Sequence, residues 1–142
     1  MVKEIPFLPE HANQVRLQPC QRAIHAHSSE RAFRAMAAAP SFTLVDGEEI
    51  VMCGGIIELS PGRAICWALM AESIGHRMTT CVRVTRRFVR AQKPHRLELD
   101  VQIDHEEGHR FARMIGFSKE TERMRAFYPD GSDGTMYVWV TQ

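Results

Sequence analysis

No stretch of these 142 residues is long and apolar enough to suggest a membrane span, and the N-terminal segment, with Glu4 and Pro6, does not read as a signal peptide. An excess of one charge is also missing. The 18 Lys and Arg residues against 17 Asp and Glu leave a net charge of +1, so no global field favours nucleic acid or anionic lipid. Cys20, Cys53, Cys66 and Cys81 are irregularly spaced and contain no C-x-x-C pair. Buried thiols in a reducing compartment are therefore favoured over a disulfide framework. There is no internal repeat, low-complexity tract or linker. What remains is a single domain over residues 1–142, expected in the cytoplasm and large enough to bury one core.

Local patterns supply the rest. Pro6 limits residues 3 to 7 to a short edge strand. Residues 11 to 38 read as one or two helices, interrupted at Pro19 and restarted at Ser29-Glu30 with Phe33 and Met36 inward. Residues 41 to 45, 49 to 59 and 63 to 70 read as strands, joined by the Asp46-Gly47 and Ser60-Pro61-Gly62 turns, which make an antiparallel meander. Met78, Cys81, Val82, Thr85, Phe88 and Val89 then recur at helical spacing, predicting a helix over 77 to 92 that Pro94 ends. Arg83, Arg86, Arg87 and Arg90 lie mostly off that face, and a charge run of this kind reads as a solvated surface.

After Pro94, Leu97, Leu99, Val101 and Ile103 alternate with Arg96, Glu98, Asp100 and Gln102, a strand with one apolar face. Strand, long helix and strand in this order form a crossover, which makes 63–70 and 96–103 parallel neighbours. A second amphipathic helix, His105 to Ile115, runs to Gly116-Phe117, and Asp104 to Glu107 reads as its capping box. A polar segment follows, then a strand pair at Arg125 to Tyr128 and Met136 to Val140. The expected fold class is mixed α/β.

This strand, helix, Gly-Phe, strand, strand order resembles the end of the GNAT (Gcn5-related) N-acetyltransferases, whose helix reads Asn-x-x-Ala-x-x-x-Tyr-x-x-x-Gly-Phe. The register matches without gaps from His105 to Phe117, with His105 at the Asn position and Ala112 at the catalytic Tyr position. The resemblance covers roughly residues 41 to the C-terminus. It implies a GNAT-like fold with helices on both faces and a splayed central sheet, in which acyl-CoA pantetheine lies between the two parallel strands. It implies acetyl-CoA as cofactor, its pyrophosphate on the N-terminus of the crossover helix, where unpaired N–H groups and the helix dipole favour an anion.

In this chain that turn is Ala71 to Thr80. It carries only Gly75 where the family has several glycines, and Arg77, Thr79 and Thr80 would supply charge and hydroxyls. The bland alternative is an ordinary strand-to-helix turn. Backbone N–H groups of Met70, Ala71 and Glu72 would hold the oxyanion in the family scheme. Glu72 is the first candidate base for the acceptor ammonium, and Glu58 the second. His109, one turn from Ala112, is the candidate proton donor to the departing thiolate, and His105 a cofactor contact. His105 and His109 share a helix face, but no third ligand follows, so no metal site is expected.

Within the superfamily the chain is most similar to the acetyltransferase-like group containing the internal virion protein A of T7-like tailed phages. Cys66-Trp67, the glycine-poor turn, Arg86-Arg87-Phe88, Arg110-Phe111 and Ile115-Gly116 carry this similarity over about 60 residues. It implies a phage or prophage origin, action in the host cytoplasm, a phage or host protein as partner, and a part in virion morphogenesis or host takeover. Ala112 and the missing glycines point to weak or absent catalysis. The competing reading is an active acetyl-CoA-dependent N-acetyltransferase acting on a protein or small-molecule amine. Nucleic acid is not expected as a partner.

Overall fold

The computed structural model describes residues 1–141 and shows a mixed α/β protein with a seven-stranded sheet in the order β1-β2-β3-β4-β5-β7-β6. The strands are β1 (Val2–Ile5), β2 (Ser41–Asp46), β3 (Glu49–Ser60), β4 (Arg63–Met70), β5 (Arg96–Gln102), β6 (Ser118–Met124) and β7 (Gly134–Val140). The helices are α1 (His11–Gln14), α2 (Pro19–His25), α3 (Glu30–Ala38), α4 (Met78–Gln92) and α5 (Glu106–Met114), with a 3₁₀ turn at Gly75–Arg77 leading into α4. The chain forms two compact units, one of residues 1–57 and 67–81, the other of 58–66 and 82–142.

In the first unit, Ile5 closes β1 just before Pro6, and β1 pairs antiparallel with β2 at the sheet edge, as its proline requires. Pro19 does not end a helix; it starts α2 at the first helical position, where its missing N–H costs nothing. The expected one or two helices are therefore three short ones. Ser29 caps α3 by accepting the Ala32 N–H at 3.1 Å. Phe7, Ala12, Val15, Leu17, Phe33, Ile50, Cys53 and Ala71 form the apolar cluster of this unit, with Trp67 and Leu69 packed against it. Phe7 meets Trp67 edge-on at 5.0 Å, a geometry worth about 0.5–1.5 kcal/mol beyond the buried area.

In the second unit, the part of β4 up to Cys66 runs parallel to β5, as the crossover spacing requires. The pairing covers Arg63–Ile65 against Arg96–Glu98 and stops there, although β4 continues to Met70. β5 pairs antiparallel with β7 along its whole length. The last strand pair differs from the expected one: β6 is Ser118–Met124, while residues 125–128 lie in the connection that follows. Six of its seven side chains are exposed, so no apolar alternation marks it. Backbone bonds to β7 hold it instead.

Across the strands of this unit runs a ladder of ion pairs. Arg63 donates to both oxygens of Glu98 at 2.7 and 3.1 Å, Arg96 donates to Glu98 at 2.7 Å, and Arg96 forks onto Glu120 at 2.9 and 2.6 Å. Glu98 is only 5% exposed, and the two guanidiniums, Arg63 first, lower its carboxyl to about 2 despite that burial. No cysteine is oxidised; Cys53, Cys66 and Cys81 are buried, and burial pushes the first two thiols up to about 12.

Candidate functional site

The end of β4 and the turn behind it hold most of the sequence-derived site residues in one continuous run. Met70 and Ala71 are buried, and the segment before α2 lies alongside them like an added strand. Leu17 bridges Ala71 in antiparallel fashion, and the Gln18 N–H donates to Met70 O at 3.0 Å. The three amides expected to hold the oxyanion donate within the chain. The Met70 N–H donates to Gln21 Oε1 at 2.8 Å, the Ala71 N–H to Val51 O at 2.9 Å, and the Glu72 N–H to Arg16 O at 2.8 Å. Each donor proposed for a tetrahedral oxyanion already has a partner within the chain. Losing the Val51 partner would leave the buried Ala71 N–H unpaired, at a cost of about 1–3 kcal/mol.

The Glu72 side chain is half exposed and pairs with Arg22 at 2.5 Å. It lines a cleft of about 400 Å³ together with Gln14, Arg16, Glu48, Glu49, Ile50 and Ser73. Of its three carboxylates, Glu72 is paired with Arg22 and Glu49 with Arg77. Glu58, the second candidate base, is simply exposed on β3.

Gly75 has φ +48° and open space where a side chain would stand, so its backbone angle, rather than a close neighbour, explains the glycine. Arg77 does not point outward as a phosphate ligand would. Its side chain is 11% exposed and donates to Glu49 at 2.8 Å, Asp46 at 3.2 Å and Ser73 O at 2.7 Å. It ties the β2–β3 hairpin to the turn, and it lowers the Glu49 carboxyl below its ordinary range. Thr79 is exposed and Thr80 half-buried on the first turn of α4.

The α5 residues are organised around burial. The expected capping box is not formed: His105, not Asp104, is the N-cap, with no side-chain cap bond, and the Asp104 N–H donates to Gln102 Oε1 instead. His105 is 4% exposed, and burial lowers its pKa from the ordinary 6.5. A Cβ on Gly108 would come within 2.6 Å of the His105 ring and 2.8 Å of Val101, so only glycine lets that ring lie against the helix.

His109 has both ring nitrogens engaged. A carbonyl can only accept, so Nε2 carries the proton and donates to Ile103 O at 2.9 Å. Nδ1 then accepts from the Tyr137 hydroxyl at 2.8 Å, and Arg113 donates to that hydroxyl at 3.4 Å. Neither nitrogen faces a thiolate in this arrangement. Ala112, at the tyrosine position of the resemblance, is fully buried.

Sequence reasoning missed two features. Gln21 reaches β4 from α2, and no spacing rule singles out a lone glutamine. Asp100 accepts from the Tyr128 hydroxyl at 2.7 Å, and burial raises its carboxyl above the ordinary range. The alternation of the strand places it on the face opposite Leu97, Leu99, Val101 and Ile103 and carries no signal for a tyrosine partner. Among the described residues, no His, Cys, Asp and Glu side chains gather in threes as metal ligands, and no helix is long and apolar enough to cross a membrane.

No family model matches the sequence, and no curated protein matches it. Solved structures do. Ard1 from Thermoplasma volcanium superposes with a TM-score of 0.77 at 16% identity, covering 99% of this chain and 98% of its own. The acetyltransferase (GNAT family) from Bacillus anthracis gives 0.65 at 13% identity over 98% and 94% of the two chains. A chain of the NatC complex, solved with Gag peptide and CoA, gives 0.73 at 12% identity over 99% of both. At these identities the likeness establishes architecture alone, and the architecture is that of the GNAT acetyltransferases.

Proposed function

We propose that this chain is an acyl-CoA-binding protein of GNAT fold that transfers acetyl groups slowly or not at all and works through contacts with another protein. The observation that carries this reading is that the Met70, Ala71 and Glu72 amides all donate within the chain, while Ala112 offers no proton at the position of the family acid. Loss of a general acid alone costs about 10²–10⁴-fold in rate.

The edge of β4 fits an acyl-CoA arm, because it already accommodates an amide, that of Gln21. Met70, Ala71 and Glu72 would flank the arm, and Gly75, Thr79 and Thr80 would receive its phosphates, with Arg77 holding the turn in shape rather than touching them. Acetyl-CoA would supply an activated acyl group there. His105 shapes the start of α5 from its buried position. The similarity to the internal virion protein A group supports a phage or prophage origin, a host-cytoplasmic setting, and a role in virion morphogenesis or host takeover.

One observation favours a second reading, an active N-acetyltransferase for an amine. The cleft beside Glu72 carries Glu48 and Glu49 as well, which suits a cationic acceptor. In that case Glu72 takes the ammonium proton after releasing Arg22, and His109 serves as acid only after its Nε2–H releases Ile103 O.

Calorimetry with acetyl-CoA, combined with a thiol-release assay, tests the proposal. We expect micromolar binding, visible as a melting-temperature increase, since a ligand at 100 times its Kd stabilises by about 2.7 kcal/mol. We expect thiol release near the uncatalysed rate. Absence of binding at millimolar ligand would remove the acyl-CoA reading. Robust turnover lost in Glu72→Gln would establish the enzyme instead.

A further inference from the structure

The Gln21 carboxamide makes two bonds to one edge of β4. Its Oε1 accepts from the Met70 N–H at 2.8 Å, and its Nε2 donates to Ala68 O at 2.8 Å. Ala68 and Met70 are two apart, so their polar groups point the same way, and β4 has no further β5 partner beyond Ile65. A C=O and an N–H from one group, meeting an N–H and a C=O two residues apart, is the pattern with which one residue of a parallel neighbouring strand would pair through its own N–H and C=O. The side chain therefore stands in for a backbone amide on an edge that would otherwise be open.

The helix that carries Gln21 has no fully buried residue, though Cys20, Ile24 and His25 are half-buried and His25 stacks on Phe33 at 5.2 Å. Polar contacts add to its hold on the rest of the unit: Gln21 on β4, Gln18 N–H on Met70 O, Arg22 on Leu17 O and on Glu72, and His25 Nε2 on Ala12 O. The two Gln21 bonds can be exchanged for water by rotation of that side chain alone, with α2 in place.

The geometry points to Gln21 as a latch that occupies the amide-binding edge of β4 until an extended chain with secondary amides replaces it. The inference rests on the acyl-CoA reading and adds its regulation: the arm of the cofactor, or a peptide of the same amide spacing, takes over the Ala68 O and Met70 N–H bonds as the Gln21 side chain withdraws. Two bonds are lost and two are made, so the exchange is close to neutral in hydrogen bonding. The fraction of molecules with the latch open then scales the apparent affinity, because binding is weakened by the share of the protein that is not competent.

The test compares the full chain with Gln21→Ala and Gln21→Glu, using CoA and pantetheine, the latter with two amides and no nucleotide. Gln21→Glu preserves shape and can still accept from Met70 but sets a carboxylate against Ala68 O, so it keeps the test alive if the alanine variant folds poorly. We expect Gln21→Ala to bind CoA and pantetheine roughly tenfold more tightly than the parent, the scale of two neutral hydrogen bonds, and Gln21→Glu, which loses only the bond to Ala68 O, to bind more tightly by a smaller factor. We also expect faster hydrogen exchange at the Met70 amide in free Gln21→Ala. Binding by the variants alone would be the strongest form of the same result. Equal or weaker affinity in both variants, with the parent binding CoA, overturns the latch and leaves the acyl-CoA reading standing. Failure of all three folded proteins to bind either probe overturns both.

Discussion

α2 at the edge of β4 and α5 on β5 occupy their polar neighbours equally fully, yet at very different depths. α2 has no fully buried side chain and holds on through side-chain amides, an exposed ion pair and the stacking of His25 on Phe33. α5 buries Gly108, Phe111 and Ala112, and its His109 is clamped between Ile103 and the fully buried Tyr137. A hydrogen-bonding census would score the two regions alike. What separates them is depth: α2 has no fully buried residue whereas α5 has three, so more apolar surface must be exposed to undo the α5 bonds. A satisfied site is closed to ligand only where opening it also breaks the core.

The sharpest break of this comparison would come from Tyr137→Ala. It removes a fully buried aromatic ring and leaves His109 Nδ1 unpaired, so chemical denaturation should report a loss of about 3–5 kcal/mol. A loss below about 1 kcal/mol would mean that the α5 region is as loosely held as α2.

Next in size is the Glu98 ladder. Its carboxyl falls from the ordinary 4.5 to about 2 on folding. A lowered pKa means the unfolded chain binds the proton more readily, so the stabilisation is complete above about pH 4.5 and disappears as pH falls through about 2. Its upper limit is about 3 kcal/mol, reduced because Arg63 is half exposed to water. Parent and Glu98→Gln should thus differ at neutral pH and converge in acid. A constant difference from pH 7 to 2 would assign the effect to packing.

The smallest effect belongs to Gln21→Ala, which should cost under about 1 kcal/mol in unfolding free energy, since each bond it loses can be remade with water. A loss comparable to that of Tyr137→Ala would show that α2 is structural and not exchangeable.

The meander and the crossover were legible because hydrophobic periodicity and turn residues mark them: Asp46-Gly47, Ser60-Pro61-Gly62 and the Met78 to Val89 stripe all fall where the structure puts turns and α4. β6 was not legible, because Ser118–Met124 has no buried face to impose alternation. Pro19 was misread because the same residue that ends one helix is favoured at the start of the next. The turn expected over Ala71 to Thr80 leads from β4 into the first residues of α4. The partners of the site's groups were not legible. Gln21 is 49 residues from Met70, and Arg77 finds Asp46 and Glu49 across 31 and 28 residues, contacts that no local pattern encodes.

The polar strand β6 has one more consequence. It is the last strand of the sheet, its side chains Lys119, Glu120, Glu122 and Arg123 project into solvent, and its register with β7 is broken twice by irregularities. A charged, kinked border is a poor template for the strand of another molecule. Many copies crowded together would therefore not zip into fibres along this side, and their sheets would stay separate at high local density.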